Sequence, residues 1–301
     1  MEQLQILNRK IASAQDLLSV VKTMKALAAV NIREYEEAVD SLGDYSCSME
    51  LGFQVLMKNM PETDSIKSEL SGSTAAVVIG SEQGMVGQFN EHIASFAIAK
   101  MDELGIPEEQ RTLLALGRKL VDGLQNRGQP VEDHIAAFGS MVDVTSVVQE
   151  VLIRIEGWRE KGRADQIIVF FNRPESGTAY EPHMRYLYPL DLTWLRSLQF
   201  KKWPSRVLPA FTMPWEQLFA SFTRHYFFLT LYKSAVESLT SENASRLASM
   251  QAAEKNIEER LEELRNRHQH LRQETITAEL LDIVSGFEVL RTDNDKEDLA
   301  V

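Results

Sequence analysis

Apolar side chains recur every three or four positions from the start of the chain, at Leu4, Leu7, Ile11, Ala14, Leu17 and Leu18, Val21, Met24, Leu27 and Ala28, and Ile32. That spacing keeps them on one face of a helix. Proline is absent between residues 4 and 60 and glycine occurs there only as Gly43 and Gly52, so the pattern predicts one long helix, or nearly so, over residues 1–62. At about 1.5 Å per residue, some fifty residues reach roughly 75 Å. A helix of that reach must leave the globular part of the chain or lie across a partner.

The other end repeats the pattern. Residues 215–290 contain no proline and a single glycine, Gly286. Within them Leu247, Met250, Ile257, Leu261, Leu264 and Leu271 fall on one seam of alternating three- and four-residue steps, with Glu254 and His268 in the seam positions between. The remaining surface is charged, with Glu242/Arg246 and Glu263/Arg267 at the favourable i,i+4 spacing. The seam is then the one narrow stripe to bury, and the first helix is its natural antiparallel partner, since neither helix covers its own stripe. A homodimeric coiled coil through the same seam is the alternative.

Between the helices the period changes. The run Ala75-Ala76-Val77-Val78-Ile79 reads as a fully buried strand, followed by a loop and a helix. Residues 112–116 read as strand, 143–158 as helix and 166–171 as strand. This alternation predicts a mainly parallel, Rossmann-like sheet covered on both faces. Residues 172–214 hold most of the prolines and predict a hairpin or edge strand near 183–189, then irregular chain. The expected fold is therefore α/β, with a long antiparallel coiled coil of the two terminal helices and a central α/β domain. Its divisions are 1–62, 72–206, 212–290 and a disordered acidic tail 291–301 carrying Asp293, Asp295, Glu297 and Asp298.

Composition narrows the function. The 301 residues are 44% hydrophobic and 25% charged, with a formal net charge of −12, which argues against binding nucleic acid by phosphate neutralisation. No apolar run approaches the roughly 18 residues of a transmembrane helix, and the amino terminus lacks a signal-peptide pattern. Cys47, the only cysteine, has no intramolecular disulfide partner and is expected to be buried as a small apolar residue.

Candidate chemistry is sparse. The loop Gly80-Ser81-Glu82-Gln83-Gly84-Met85-Val86-Gly87 sits where a phosphate loop would. Its glycine spacing matches neither the dinucleotide fingerprint nor the phosphate loop, and Glu82 would repel an anion, so a structural turn is expected. A nucleotide-binding enzyme using this loop is the second alternative. His268 and His270 are two apart and face different ways on a helix, so no metal site is expected. The acid pairs Glu258/Glu259 and Glu262/Glu263 read as a solvated face. No catalytic residue, cofactor or metal is expected, and two helices longer than the domain between them suggest a mechanical part.

Three passages carry a resemblance. Val20-Val21-Lys22-Thr23-Met24-Lys25-Ala26-Leu27-Ala28-Ala29 resembles the first-helix signature of the γ subunits of F-type rotary ATP synthases. The turn from Ser81 through Gly84 and Gly87 to Asn90 is similar to that family's central Ser-Asp-x-Gly-Leu-x-Gly-x-x-Asn. Two blocks of its last helix are matched by Ser241-Glu242-Asn243-Ala244-Ser245-Arg246 and by the stretch from Arg272 through Gln273, Ile276, Thr277, Glu279 and Leu280 to Gly286.

The resemblance implies a rotor whose terminal helices form a shaft inside a hexamer of α and β chains. One copy per complex would contact the α and β chains, the epsilon subunit and the membrane c-ring, with ATP chemistry left to β. It implies coupling contacts with the catalytic head at Lys22, Met24, Lys25, Arg246, Gln273, Thr277 and Glu279, and a central-domain turn at Gly84, Gly87 and Asn90. Five basic residues and one acid between Arg9 and Arg33 suggest a basic collar of charge +4 facing acidic levers. Departures from the family pattern, such as Glu34, Glu36, Glu37 and Asp40 where basic residues usually continue, suggest a divergent paralogue. The implied place is peripheral, on the cytoplasmic face of a bacterial or archaeal plasma membrane.

Overall fold

A computed structural model describes residues 2–60, 72–175 and 177–297. The order is α1 (Glu2–Lys58), β1 (Thr74–Ile79), α2 (Phe89–Glu103), a 3-10 turn (Glu108–Gln110), β2 (Arg111–Leu116), α3 (Arg118–Gln125), β3 (Asp133–Ile135), α4 (Met141–Glu160), β4 (Gln166–Pro174), β5 (Tyr180–Tyr188), α5 (Leu192–Phe200) and α6 (Trp215–Glu297). The chain divides into two compact units, Met1–Ala26 with Met250–Val301, and Leu27–Ser249. This cut falls inside both long helices rather than at the ends of the sheet domain. α6 continues to Glu297, seven residues into the stretch expected as a tail; residues 298–301 lie outside the described residues, as do 61, 62 and 71.

In the first unit the helices run antiparallel. Lys22 of α1 pairs with Glu258 of α6, whereas Lys25, further along α1, pairs with Glu254, which is earlier on α6. Leu7 and Val21 are buried, as are Met250, Leu261 and Leu264 across from them, and Ile257 and Leu271 are half-buried. The predicted seam is thus covered within the chain.

In the second unit a five-stranded sheet has the order β3-β2-β1-β4-β5. β1 is parallel to β2 and β4, with Val77 opposite both Leu114 and Val169, and only β5 is antiparallel. All six residues of β1 are buried because alternate side chains enter two cores. Ala75, Val77 and Ile79 join a core that includes residues of α1, α4, α5 and α6, while Ala76 and Val78 join one with Ile93 and Ala97 of α2 and Leu120 and Leu124 of α3. The edge strand expected near 183–189 is β5. The chain after it, expected to be irregular, contains α5: the Asp191 carboxylate accepts from the backbone N–H groups of Thr193 (2.8 Å) and Trp194 (3.1 Å), capping a short helix that buries Leu195 and Leu198. Cys47 corrects another expectation, because it is exposed. The buried stripe of α1 passes through Met49 and Phe53, leaving Cys47 on its flank.

Candidate functional site

The carboxyl ends of parallel strands, where strand order reverses, are where a doubly wound sheet ordinarily opens a ligand crevice. Here that reversal lies between β1 and β4, and α6 meets it. Ser245 Oγ donates to the carbonyl of Val86 in the loop after β1 (2.6 Å), and Ser241 Oγ donates to the carbonyl of Asn172 near the end of β4 (3.0 Å). Both hydroxyls project from one side of α6 because they are four residues apart. Asn172 Nδ2 reaches the Phe89 carbonyl at 3.3 Å, tying β4 to the start of α2.

The turn is organised for this contact. Asn90, at the start of α2, accepts from the Ser81 N–H through Oδ1 (2.9 Å) and donates to Ser81 Oγ through Nδ2 (2.8 Å), and both residues are buried. Gly87 has φ +55°, and a Cβ there would stand 3.2 Å from Ser249 Oγ, so glycine permits both the left-handed backbone and the approach of α6. A Cβ on Gly84 would meet nothing within 4 Å, and the other left-handed residue of the turn is Met85, with φ 62°. Of the three turn candidates, Gly87 and Asn90 therefore have a structural task that Gly84 lacks.

Glu82, expected to repel a bound anion, turns instead toward the neighbouring strand–helix connection after β2. Its Oε2 accepts from the backbone N–H of Ala137 (3.1 Å) and of Arg118 (3.3 Å) at the start of α3. Asn90→Leu would leave the buried Ser81 N–H without a partner, while Ser81 Oγ keeps the Gln83 carbonyl at 2.8 Å. We expect it to cost about 1–3 kcal/mol, read as a lower urea midpoint of the full chain.

Arg246 lies on the same stretch of α6. Its Nη2 donates to Glu242 Oε1 at 2.7 Å, and the two side chains are only 13% and 8% exposed. Burial pushes the Glu242 carboxyl up, with Arg246 opposing. Tyr35 of α1 is buried beside the pair, and burial, with Glu34 adding to it, raises its hydroxyl too.

The remaining candidates do not converge. Lys22 and Lys25 of α1 face α6: Lys22 Nζ is 3.1 Å from Glu258 Oε1 and 3.7 Å from Glu254 Oε1, and Lys25 Nζ donates to Glu254 Oε2. Two of the five cations of the expected basic collar are therefore already neutralised. Met24 is half-buried. Gln273, Thr277 and Glu279 are exposed on α6, where the Thr277 hydroxyl only donates back to the Gln273 carbonyl (2.9 Å). Around them Ile276, Leu280, Leu281, Ile283 and Val284 are also exposed, at 46–61%. On α1, Leu17, Val20, Leu27 and Val30 form a second exposed apolar set. The sequence reading missed Ser241 as a tether, together with Ser245 and Asn172; the i,i+4 pair of small hydroxyls was the available signal. Among the described residues no cluster of three or more metal-ligating side chains occurs, and no helix is long and apolar enough to cross a membrane.

The ATP synthase family model matches residues 3–290. The chain belongs to the ATP synthase gamma family. Over 97% of its length it is 26% identical to the ATP synthase gamma chain of Bdellovibrio bacteriovorus, all of which it covers. It is likewise 26% identical to that of Ruminococcus albus, over 95% of this chain and 98% of the other. Its fold resembles a chain in the OSCP/F1/c-ring structure of Euglena gracilis mitochondrial ATP synthase, with TM-score 0.64, 16% identity, and coverage of 97% of this chain and 96% of that one. A chain of the central stalk and c-ring of Tetrahymena thermophila mitochondrial ATP synthase aligns with TM-score 0.53 and 20% identity over 78% of this chain and 99% of the other. Gamma-family membership carries the rotor-subunit function of an F-type ATP synthase.

Proposed function

We propose that this gamma-family rotor transmits torque through its two helices and holds no catalytic site of its own. One copy works with the α and β chains of the catalytic head, the epsilon subunit and the c-ring, peripheral to a bacterial or archaeal plasma membrane on its cytoplasmic face. ATP is made and hydrolysed in the head. An asymmetric shaft biases three otherwise equal sites in turn because each meets a different face of it, which couples their equilibria without chemistry by the shaft.

The observation that carries this reading is the uncovered apolar set on α6, Ile276, Leu280, Leu281, Ile283 and Val284, interleaved with Gln273, Thr277 and Glu279. An exposed apolar stretch of this size is a partner surface in a chain with buried alternatives. Gln273, Thr277 and Glu279 supply polar contacts at its rim, and Met24 with its neighbours Lys22 and Lys25 supplies those of α1. The sheet domain is carried on α6 by Ser241 and Ser245 as a mount for the parts below the head.

The test is co-expression with α, β, epsilon and c-ring subunits. We expect one copy of this chain per three α and three β chains, and ATP-driven ion pumping by the complex. Leu280→Asp with Val284→Asp should leave the thermal midpoint of the free chain unchanged, since both side chains are exposed, yet lower pumping by about tenfold or more. Recovery of a lone homodimer, or full pumping by the double variant, would sink the proposal.

A further inference from the structure

Among the seam positions of the first unit, Glu254 stands out because it is acidic, only 16% exposed, and shared. Both Lys22 and Lys25 approach its carboxylate, one at each oxygen. Lys22 has a second carboxylate in Glu258, at 3.1 Å, whereas Lys25 has no other acid within ion-pair distance among the described residues. The hydrogen bond from Lys25, with the charges of both lysines, holds the Glu254 carboxyl below the usual range.

Two cations and two anions balance here, so the network is neutral as a whole. A lysine is a point charge on a flexible stem and goes where the field is strongest. With Glu254 in place, that is toward α6. Without it, Lys25 is unpaired and Lys22 keeps Glu258 alone. The dependence is therefore graded: Lys25 relies wholly on Glu254, and Lys22 only in part.

We infer that Glu254 is a positioning residue of the rotor, holding Lys25, and with Glu258 also Lys22, against α6 so that the catalytic head meets a neutral ion network instead of two free cations. This rests on the proposal that the lysines lie where the shaft meets the head. A neutral network slides past acidic surfaces without sticking, whereas a freed ammonium attaches to them in a salt-dependent way. The seam also gains partner choice, because an acidic seam position prefers the lysine of α1 to a second copy of α6.

The experiment is a charge exchange in the assembled, membrane-bound complex, with four chains: wild type, Lys25→Glu, Glu254→Lys, and both together. Ion pumped per ATP hydrolysed is read against salt concentration. Each single variant should lower this ratio by about fivefold at low salt, and the exchange should return it to within about twofold of wild type. Glu254→Gln should lower the ratio at low salt and recover as salt rises, whereas Glu258→Gln, which leaves Glu254 in place for both lysines, should change it less. A silent Glu254→Lys means that Glu254 positions neither lysine, and an exchange as impaired as Lys25→Glu means that the head needs the ammonium at position 25 whatever it is paired with; either overturns the inference. A loss through helix pairing alone would lower thermal stability without the salt-dependent recovery, and overturns it as well. If the wild-type complex itself fails to assemble or pump, it is the rotor reading that falls.

Discussion

Glu242→Leu is expected to destabilise the second unit by about 3–5 kcal/mol, and adding Arg246→Met is expected to recover most of that loss. The single change leaves a guanidinium that is only 13% exposed beside an apolar side chain, with its carboxylate partner gone. Its other side-chain contact is a long one, 3.4 Å from Nη1 to Asn243 Oδ1, and its Nε already lacks a partner. The paired change removes both charges together. Methionine follows the former path of the arginine stem, and two desolvated ions become an apolar contact against Tyr35. Urea unfolding of the free chain measures the stability of wild type, single and double variants.

The same pair of variants separates two roles for Arg246. If the double variant is as stable as wild type but the assembled complex pumps poorly, Arg246 acts on the catalytic head. Full pumping by a stable double variant restricts it to packing within the chain. The position of Arg246 in the family's last-helix block favours the first outcome, and its burial against Glu242 favours the second. Stability alone does not decide between them, which is why both measurements are needed.

Phe53→Ala is expected to cost about 3–5 kcal/mol. Phe53 is fully buried on α1 and meets four rings edge-on: Trp194 of α5 and Phe219, Phe222 and Tyr226 of α6, with centroids 5.7, 6.2, 5.7 and 5.8 Å away. Removing one ring leaves a cavity whose walls belong to three helices, so collapse requires all three to move. The neighbouring Gly52 shows how close the helices are, since a Cβ there would stand 2.0 Å from the ring of Phe222. Phe53→Leu keeps much of the volume and should recover more than half of the loss. Thermal unfolding of the two variants gives the comparison, and equal midpoints for Phe53→Ala and wild type would remove the cluster's assigned role.

The helices and the strands of the sheet interior were readable because their signals are local and repeated. A seam such as Leu261, Leu264 and His268 restates its period turn after turn. The apolar run of β1 is legible for the opposite reason, since burial on both faces erases the alternation altogether. α3 has only eight residues, too few for a period to emerge. α5 lay in a proline-rich stretch whose composition masked the Asp191 cap. Cys47 was misplaced because residue type predicts average burial, while the flank of a helix is decided by which face its partner covers.

The candidate site was legible as a set of residues and much less as an arrangement. Asn90 and Gly87 could be named from the turn, but Ser245 lies 159 residues from the Val86 carbonyl it holds, and no local pattern records that distance. Lys22 and Lys25 read as free cations on α1 because the carboxylates that neutralise them belong to the far end of the chain.

Periodicity, proline placement and the motif blocks determined from the sequence that this chain has two long helices, a parallel sheet between them, and a place in the gamma family. Only the tertiary structure decided that α6 meets the crevice of the sheet, that the Glu82 carboxylate caps backbone N–H groups of Arg118 and Ala137, and that Arg246 is buried while Gln273, Thr277 and Glu279 stand exposed. The physical reason is range. Backbone periodicity depends on neighbours within a few residues, whereas the state of a polar group depends on the partner that folding brings to it across the chain.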